Sequence, residues 1–154
     1  MKAYLAGAIE HAPDRGQAWR EAMVAFLQAE LGHAYYNPLV EENKYLTPAE
    51  LATFRTYKES DLPRFQAIVR KLIRGDLQAL MNEIDYVICL WDVYAMKGGG
   101  TYGELTVAFY RDIPVYMVTS LPVREISGWI LGCTTAIYPD FPQLQQALRA
   151  KYGR

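Results

Sequence analysis

The stretch Ile84–Trp91, IDYVICLW, is apolar at nearly every position after Asp85. A strand with one wet face alternates polar and apolar residues, so an uninterrupted run belongs to a strand covered on both faces. Shorter runs of the same character stand at Lys2–Ala6 (ending at Gly7), His33–Pro38, Ile113–Thr119 and Cys133–Tyr138. Between them, apolar residues recur at helical spacing. Ala18, Trp19, Ala22, Met23, Phe26 and Leu27 form one stripe, with Asp14 and Gln17 as a capping box before it and Gly32 closing it. Phe65, Ile68, Val69, Leu72, Ile73, Leu77 and Leu80 form another over Asp61–Met81. A further helix runs from near Thr101 to about Asp112, LPVREISGWIL reads as a loop with a short helix, and Asp140 with Gln143 opens a last helix carrying Leu144, Ala147 and Leu148. Strands alternating with helices call for an α/β fold, a parallel sheet between helical layers joined by right-handed crossovers.

With 154 residues and 51% hydrophobic content the chain has material for one full core, hence one domain over 1–154. Sixteen Lys and Arg balance seventeen Asp and Glu, which gives no basic excess for a nucleic-acid partner. The RKLIR patch at Arg70–Arg74 reads as a solvated helix face. No run approaches the eighteen or so apolar residues of a membrane span, and MKAYLAGAIE is a first strand rather than a signal peptide, so a soluble cytoplasmic protein is expected. Cys89 and Cys133 both fall in strand-like runs, without the histidines or carboxylates of a metal site or an activated thiol, and read as buried free thiols.

In a sheet of this kind the ligand crevice lies beyond the carboxyl ends of the strands. The polar residues there are Glu10 and His11, Asn37, Asp92 and Ser120. Glu104 joins them from the start of the next helix, and Asp76 from the edge of a mostly apolar helical face, so that three acids, Asp76, Asp92 and Glu104, can converge on one pocket. Each has a plainer role available. Thr101 and Glu104 spell a capping box, Asp92 can start a turn, and Asp76 can hold a nearby base. At a helix start a carboxylate is stabilised by roughly 0.3–1 kcal/mol and kept ionised, which suits a nucleophile. The glycines Gly98–Gly100 allow close approach of a ligand or a tight turn, but neither a dinucleotide nor a P-loop motif is present. His11 and His33 form no triad pattern. Tyr4 lies near the end of the first strand, and Trp91, Tyr94 and Tyr102 surround the acids, a setting for a planar ligand or simply for packing. The middle segment 41–60 is the least regular and reads as a short helix, with Thr47, Pro48 and Glu50 as N-cap, N1 and N3, within a loop or lid over the pocket.

The blocks YLAG (Tyr4–Gly7), RGDLQALMNEIDYVICLWD (Arg74–Asp92) and GGGTYGELTVAFYRDIPV (Gly98–Val115) resemble the nucleoside 2-deoxyribosyltransferase family, whose superfamily also holds 2'-deoxynucleoside 5'-monophosphate N-glycosidases. The resemblance implies a flavodoxin-like three-layer sandwich with a five-stranded parallel sheet. It implies Glu104 as nucleophile, Asp92 as the acid that contacts and helps to protonate the nucleobase, Asp76 as the contact to deoxyribose, and Tyr4 as the hydroxyl that orients Glu104. Gly7, Glu10, Gly100, Thr101 and Tyr102 are then expected to bind substrate. The implied chemistry is exchange of the base of a 2'-deoxynucleoside for a free nucleobase through a covalent deoxyribosyl–glutamate ester, with no metal or organic cofactor. Family members assemble as dimers or larger rings that share active sites, and Trp129, Ile130 and Phe141 are available for such an interface.

The chain departs from the family in two ways. Transferases of the family close the pocket with an asparagine near the C-terminus of a neighbouring subunit, yet no asparagine follows Asn82 here. The serine-bearing phosphate loops of the monophosphate hydrolases are also missing: GAIEH follows the first strand, and Thr101 stands in the glycine turn. Glu10 would repel a phosphate, while Arg15 and Lys97 are available to compensate, so free nucleosides are the expected substrate. The alternatives are an N-glycosidase that uses water as acceptor and a non-catalytic nucleotide-binding protein.

Overall fold

A computed structural model describes residues 1–153. Its five strands are β1 (Lys2–Gly7), β2 (Ala34–Tyr36), β3 (Tyr86–Leu90), β4 (Val115–Val118) and β5 (Ala136–Tyr138), all parallel in the order β2-β1-β3-β4-β5. The helices are α1 (Gln17–Phe26), α2 (Pro38–Tyr45), α3 (Pro48–Thr53), α4 (Tyr57–Ser60), α5 (Leu62–Asn82), α6 (Gly100–Tyr110), α7 (Gly128–Cys133) and α8 (Phe141–Tyr152). The apolar runs of the sequence therefore mark the sheet, and the helical stripes mark its two covers.

Alternation along the strands divides the core. Tyr4 and Ala6 of β1, Val87 and Cys89 of β3, and Val115 and Met117 of β4 pack with Leu80, Leu105 and Ile130 of α5, α6 and α7. Ala3, Leu5, Tyr86, Ile88, Tyr116 and Val118 point the other way, onto Met23, Phe26, Leu144 and Leu148 of α1 and α8. A smaller cluster of Leu46, Phe54 and Ile68 fixes the 41–60 region on α5. That region is a set of short helices packed on the body, and α3 opens at the expected N-cap Thr47, where the Glu50 side chain also returns to the Thr47 amide to complete a reciprocal capping box.

Several local expectations differ from what forms. Asp14 accepts from the amides of Gly16 and Ala18, but the N-cap is Gly16 in the left-handed region at φ 71°, and Gln17 turns instead to Glu21, so no capping box forms there. Gly16 has no room for a side chain, because an added Cβ would lie 2.7 Å from the Ala8 carbonyl oxygen. Cys133 ends helix α7 rather than lying in a strand, and Ile130 is fully buried. Phe141 stacks on Trp19 with ring centroids 5.6 Å apart and is only partly exposed, so of the three residues available for an interface Trp129 alone is largely exposed. Among the described residues no helix is long and apolar enough to cross a membrane.

Candidate active site

The strand order reverses between β1 and β3, and the crevice of an open α/β sheet forms at such a switch point, outside the carboxyl ends of the strands. A cavity of about 350 Å³ lies there, within the range of small-molecule sites. The end of β1 supplies Gly7 to His11, α5 supplies Val69, Leu72 and Asp76, the glycine turn supplies Gly98 to Thr101, and α6 supplies Glu104. Phe54, Arg55 and Lys58 close it from the 41–60 region.

Glu104 reaches this cavity because α6 starts earlier than the capping pattern implies. Gly99 and Gly100 continue the helical backbone, Gly99 is the N-cap without a side-chain cap bond, and Glu104 falls in the second turn. It lies three residues beyond buried Thr101 and four before buried Ala108, which turns it inward beneath β1. The Tyr4 hydroxyl donates a 2.8 Å hydrogen bond to Glu104 Oε1, while Oε2 is buried and unpartnered among the described residues. Burial pushes the Glu104 carboxyl up to about 7 and Asp76 pushes in the same direction, against the smaller lowering effects of the Tyr4 hydrogen bond and Arg20. The expectation of a capping carboxylate kept ionised by the helix start is thus corrected: the group is buried deeper along the helix and titrates near neutrality.

Asp76 forms a parallel pair. The Tyr36 hydroxyl donates to Asp76 Oδ1 at 3.0 Å, and burial raises this carboxyl to about 6. Tyr36 stacks on Tyr4 with centroids 5.1 Å apart and planes at 9°. The two phenol–carboxylate pairs therefore sit side by side, and Asp76, losing its proton first, disfavours ionisation of Glu104. Behind them the Tyr45 hydroxyl lies 3.2 Å from that of Tyr36. Tyr4 and Tyr36 are both held neutral, with their phenol pKa values raised by burial, so both remain donors.

Gly7, Glu10, Gly100, Thr101, Asp76 and Glu104 line the cavity, and Tyr4 lies directly behind it, bonded to Glu104. Asp92 does not converge on the same wall. It spends Oδ1 on the amides of Tyr94 and Ala95, at 2.9 and 2.8 Å, and thereby shapes the turn that does line the cavity. Its convergence with the other two acids is corrected on that ground, since the local turn holds the carboxylate at the strand end. Tyr102 also lies outside the lining, packed edge-on against Trp91 at 4.9 Å. Asn37 caps α2 through Leu39, and Ser120 is exposed away from the cavity.

Arg20 carries no signal in the sequence beyond its helical position, yet it is completely buried. Its guanidinium donates to the carbonyls of Leu5, Gly7, Ala8, Arg15 and Gly16, at 2.8 to 3.3 Å. It fastens the end of β1 to the loop that forms one cavity wall and places a positive charge near Glu104. Tyr36 and Tyr45 were equally hidden, because only the fold brings β2 and α2 against α5.

No family model matches the chain, and no curated protein does. A solved structure of a 2-deoxyribosyltransferase from Bacillus psychrosaccharolyticus is similar over 99% of this chain and 96% of its own, with a TM-score of 0.62 and 15% identity. A Clostridium botulinum CMP N-glycosidase is similar over 97% of this chain and 99% of its own, with a TM-score of 0.52 and 17% identity. The chain therefore has the fold of these two enzymes along essentially its whole length.

Proposed function

We propose that this protein exchanges the base of 2'-deoxynucleosides, with Glu104 receiving the deoxyribosyl group and passing it to a second nucleobase. The observation that carries this reading is the Glu104 carboxyl at the cavity floor, one oxygen held by Tyr4 and the other buried without a partner among the described residues. Ionised Oε2 attacks the anomeric carbon. The bond from that carbon to the base nitrogen breaks, and its electron pair leaves with the base, which takes up a proton from bulk solvent through water, with Asp92, in the turn at the strand end, as the proposed relay. Asp76 accepts a hydrogen bond from a sugar hydroxyl. In the second step a ring nitrogen of the incoming base attacks the same carbon, and the ester electrons return to Glu104 as its carboxylate. Two moderate barriers replace one high one, and the Tyr4 hydroxyl stabilises Glu104 as nucleophile in the first step and leaving group in the second. Both enzymes that share the fold are named for transfer or release at an N-glycosidic bond, which supports the assignment.

The second reading keeps Glu104 and replaces the incoming base by water, giving an N-glycosidase. The shared fold of a CMP N-glycosidase supports it. Incubation with one deoxynucleoside and a different free base separates the two. The proposal expects the exchanged nucleoside; free deoxyribose without exchange supports hydrolysis; tight binding with no base release supports a non-catalytic nucleotide-binding protein. A homo-oligomer belongs to the same proposal, resting on the exposed aromatics Phe109 and Tyr110 of α6 and Trp129 of α7.

A further inference from the structure

Tyr4 and Tyr36 are register partners across β1 and β2, so both phenols leave the same face of the sheet. Each meets one carboxyl of the cavity: Tyr4 donates to Glu104 at 2.8 Å and Tyr36 to Asp76 Oδ1 at 3.0 Å. Their rings stack 5.1 Å apart at 9°, so the spacing of the two phenols is set by the sheet. Tyr36 is 4% exposed, and none of the transfer steps uses its hydroxyl.

The hydroxyl chain has a direction. An ionised Asp76 accepts only, so the single Tyr36 proton goes to Oδ1. The Tyr36 oxygen is then left to accept from the Tyr45 hydroxyl, 3.2 Å away, and that donation strengthens Tyr36 as a donor. The Tyr45 ring packs on Gly75, beside Asp76 on α5, with no room between them for a side chain. Asp76 Oδ2 has no hydrogen bond among the described residues, and the side chain lines the cavity. The charges facing Asp76 come from several elements. Burial disfavours its ionisation, and Glu41 and Glu42 of α2 add to that; the Tyr36 bond and Arg20 of α1 favour it. Glu104 of α6 feels the resulting charge.

We infer that Tyr36 is a positioning residue for the glycosyl step and that Tyr45 holds it in that role. Tyr36 commits Asp76 Oδ1, which leaves Oδ2 as the acceptor for a sugar hydroxyl, and the stacked phenols keep that acceptor in a fixed relation to Glu104. The inference rests on the reading of Glu104 as glycosyl acceptor and adds the residues that set Asp76 against it. It places the control of sugar binding on β2 and α2, elements that carry none of the expected site residues. A packing role alone predicts something different: a phenylalanine at position 36 would preserve the stack on Tyr4 and change nothing through Asp76.

Two measurements on Tyr36→Phe test it, since that variant keeps the ring while removing the donor. In the first, carbon NMR of aspartate-labelled protein follows the Asp76 carboxyl, identified by its loss in Asp76→Asn. The titration at about 6 in the wild type should move up in Tyr36→Phe, because a bond to the ionised form is gone, and in the same direction by less in Tyr45→Phe. In the second, base release from 2'-deoxyuridine and 2'-deoxyadenosine at neutral pH gives a double-mutant cycle. Tyr36→Phe should lower kcat/KM by about tenfold in the wild-type background and by less than about twofold beside Asp76→Asn. An Asp76 titration unmoved in Tyr36→Phe overturns the inference, and so does an effect of equal size in the two backgrounds, which makes Tyr36 a packing residue only. The titration needs no turnover, so it decides even where Asp76→Asn is inactive. A shifted titration with no base release by the wild type keeps Tyr36 on Asp76 and sinks the glycosyl transfer. Base release with an unmoved titration does the reverse.

Discussion

Burial and Asp76 push Glu104 up to about 7, while Tyr4 and Arg20 pull it down. A nucleophile must be ionised, so kcat/KM should rise with pH through about 7. The two neighbours should move that inflection in opposite directions. Tyr4→Phe removes a hydrogen bond to the ionised form, which shifts the inflection up and lowers kcat by roughly ten- to a hundredfold. Asp76→Asn removes a negative charge and shifts it down; pH–rate profiles of both variants check the signs. Stability has its own sign. The Glu104 carboxyl titrates at about 7 folded against an ordinary value of 4.5, so the folded state holds its proton more tightly, and stability present below 4.5 is lost as pH rises to about 7. Glu104→Gln should therefore be more stable than wild type at pH 8, by at most roughly 3 kcal/mol, with the gap closing towards pH 4.5 in urea unfolding. At this scale the sequence made Glu104, Asp76 and Tyr4 legible as candidates, because Tyr4 and Glu104 fall near the strand and helix ends that frame the crevice and Asp76 on the edge of an apolar helical face. It could not decide between cap and site for Glu104, since both need a carboxylate near a helix start and only the helix phase, set by Gly99 and Gly100, separates them.

Helix α5 carries Asp76 on the flank of its buried stripe, and Gly75 beside it lies against the Tyr45 ring of α2. A Cβ on Gly75 would lie 2.4 Å from the Tyr45 ring. Gly75→Ala should displace that ring, loosen the Tyr45–Tyr36–Asp76 chain of hydroxyls, and cost about 1–3 kcal/mol of stability in urea unfolding. An unchanged midpoint with unchanged activity would show that α2 does not brace the site. The elements themselves were readable where one signal dominated, as in the uninterrupted apolar run of β3 or the N-cap at Thr47. They were less readable where two signals met. Helix α1 continues into a π-helical turn, Leu27–Leu31, before Gly32 ends it, and the stripe through Leu27 gives no warning of that change. Arg20 lies within the same helix, and nothing local shows that its side chain will be swallowed by five carbonyls from β1 and its loop.

For the molecule as a whole, the parallel sheet and its two covers follow from strands apolar on both faces, and the site follows from the switch between β1 and β3. What the chain does with its outer surface is less written. Phe109, Tyr110 and Trp129 are 60%, 82% and 66% exposed, and α6 and α7, which carry them, pack together. If that face joins copies, light scattering should give a dimer or larger assembly at micromolar concentration, and Trp129→Asp should shift it towards monomer; a monomeric wild type would remove the shared-site proposal. The central claim concerns one bond, from Glu104 to a sugar carbon. Acid-quenched enzyme taken during turnover of a 2'-deoxynucleoside should carry the mass of one deoxyribosyl group on the peptide containing Glu104, and the Glu104→Ala variant should carry none and turn nothing over. A Glu104→Ala variant with full turnover, or an adduct on another residue, would contradict the account.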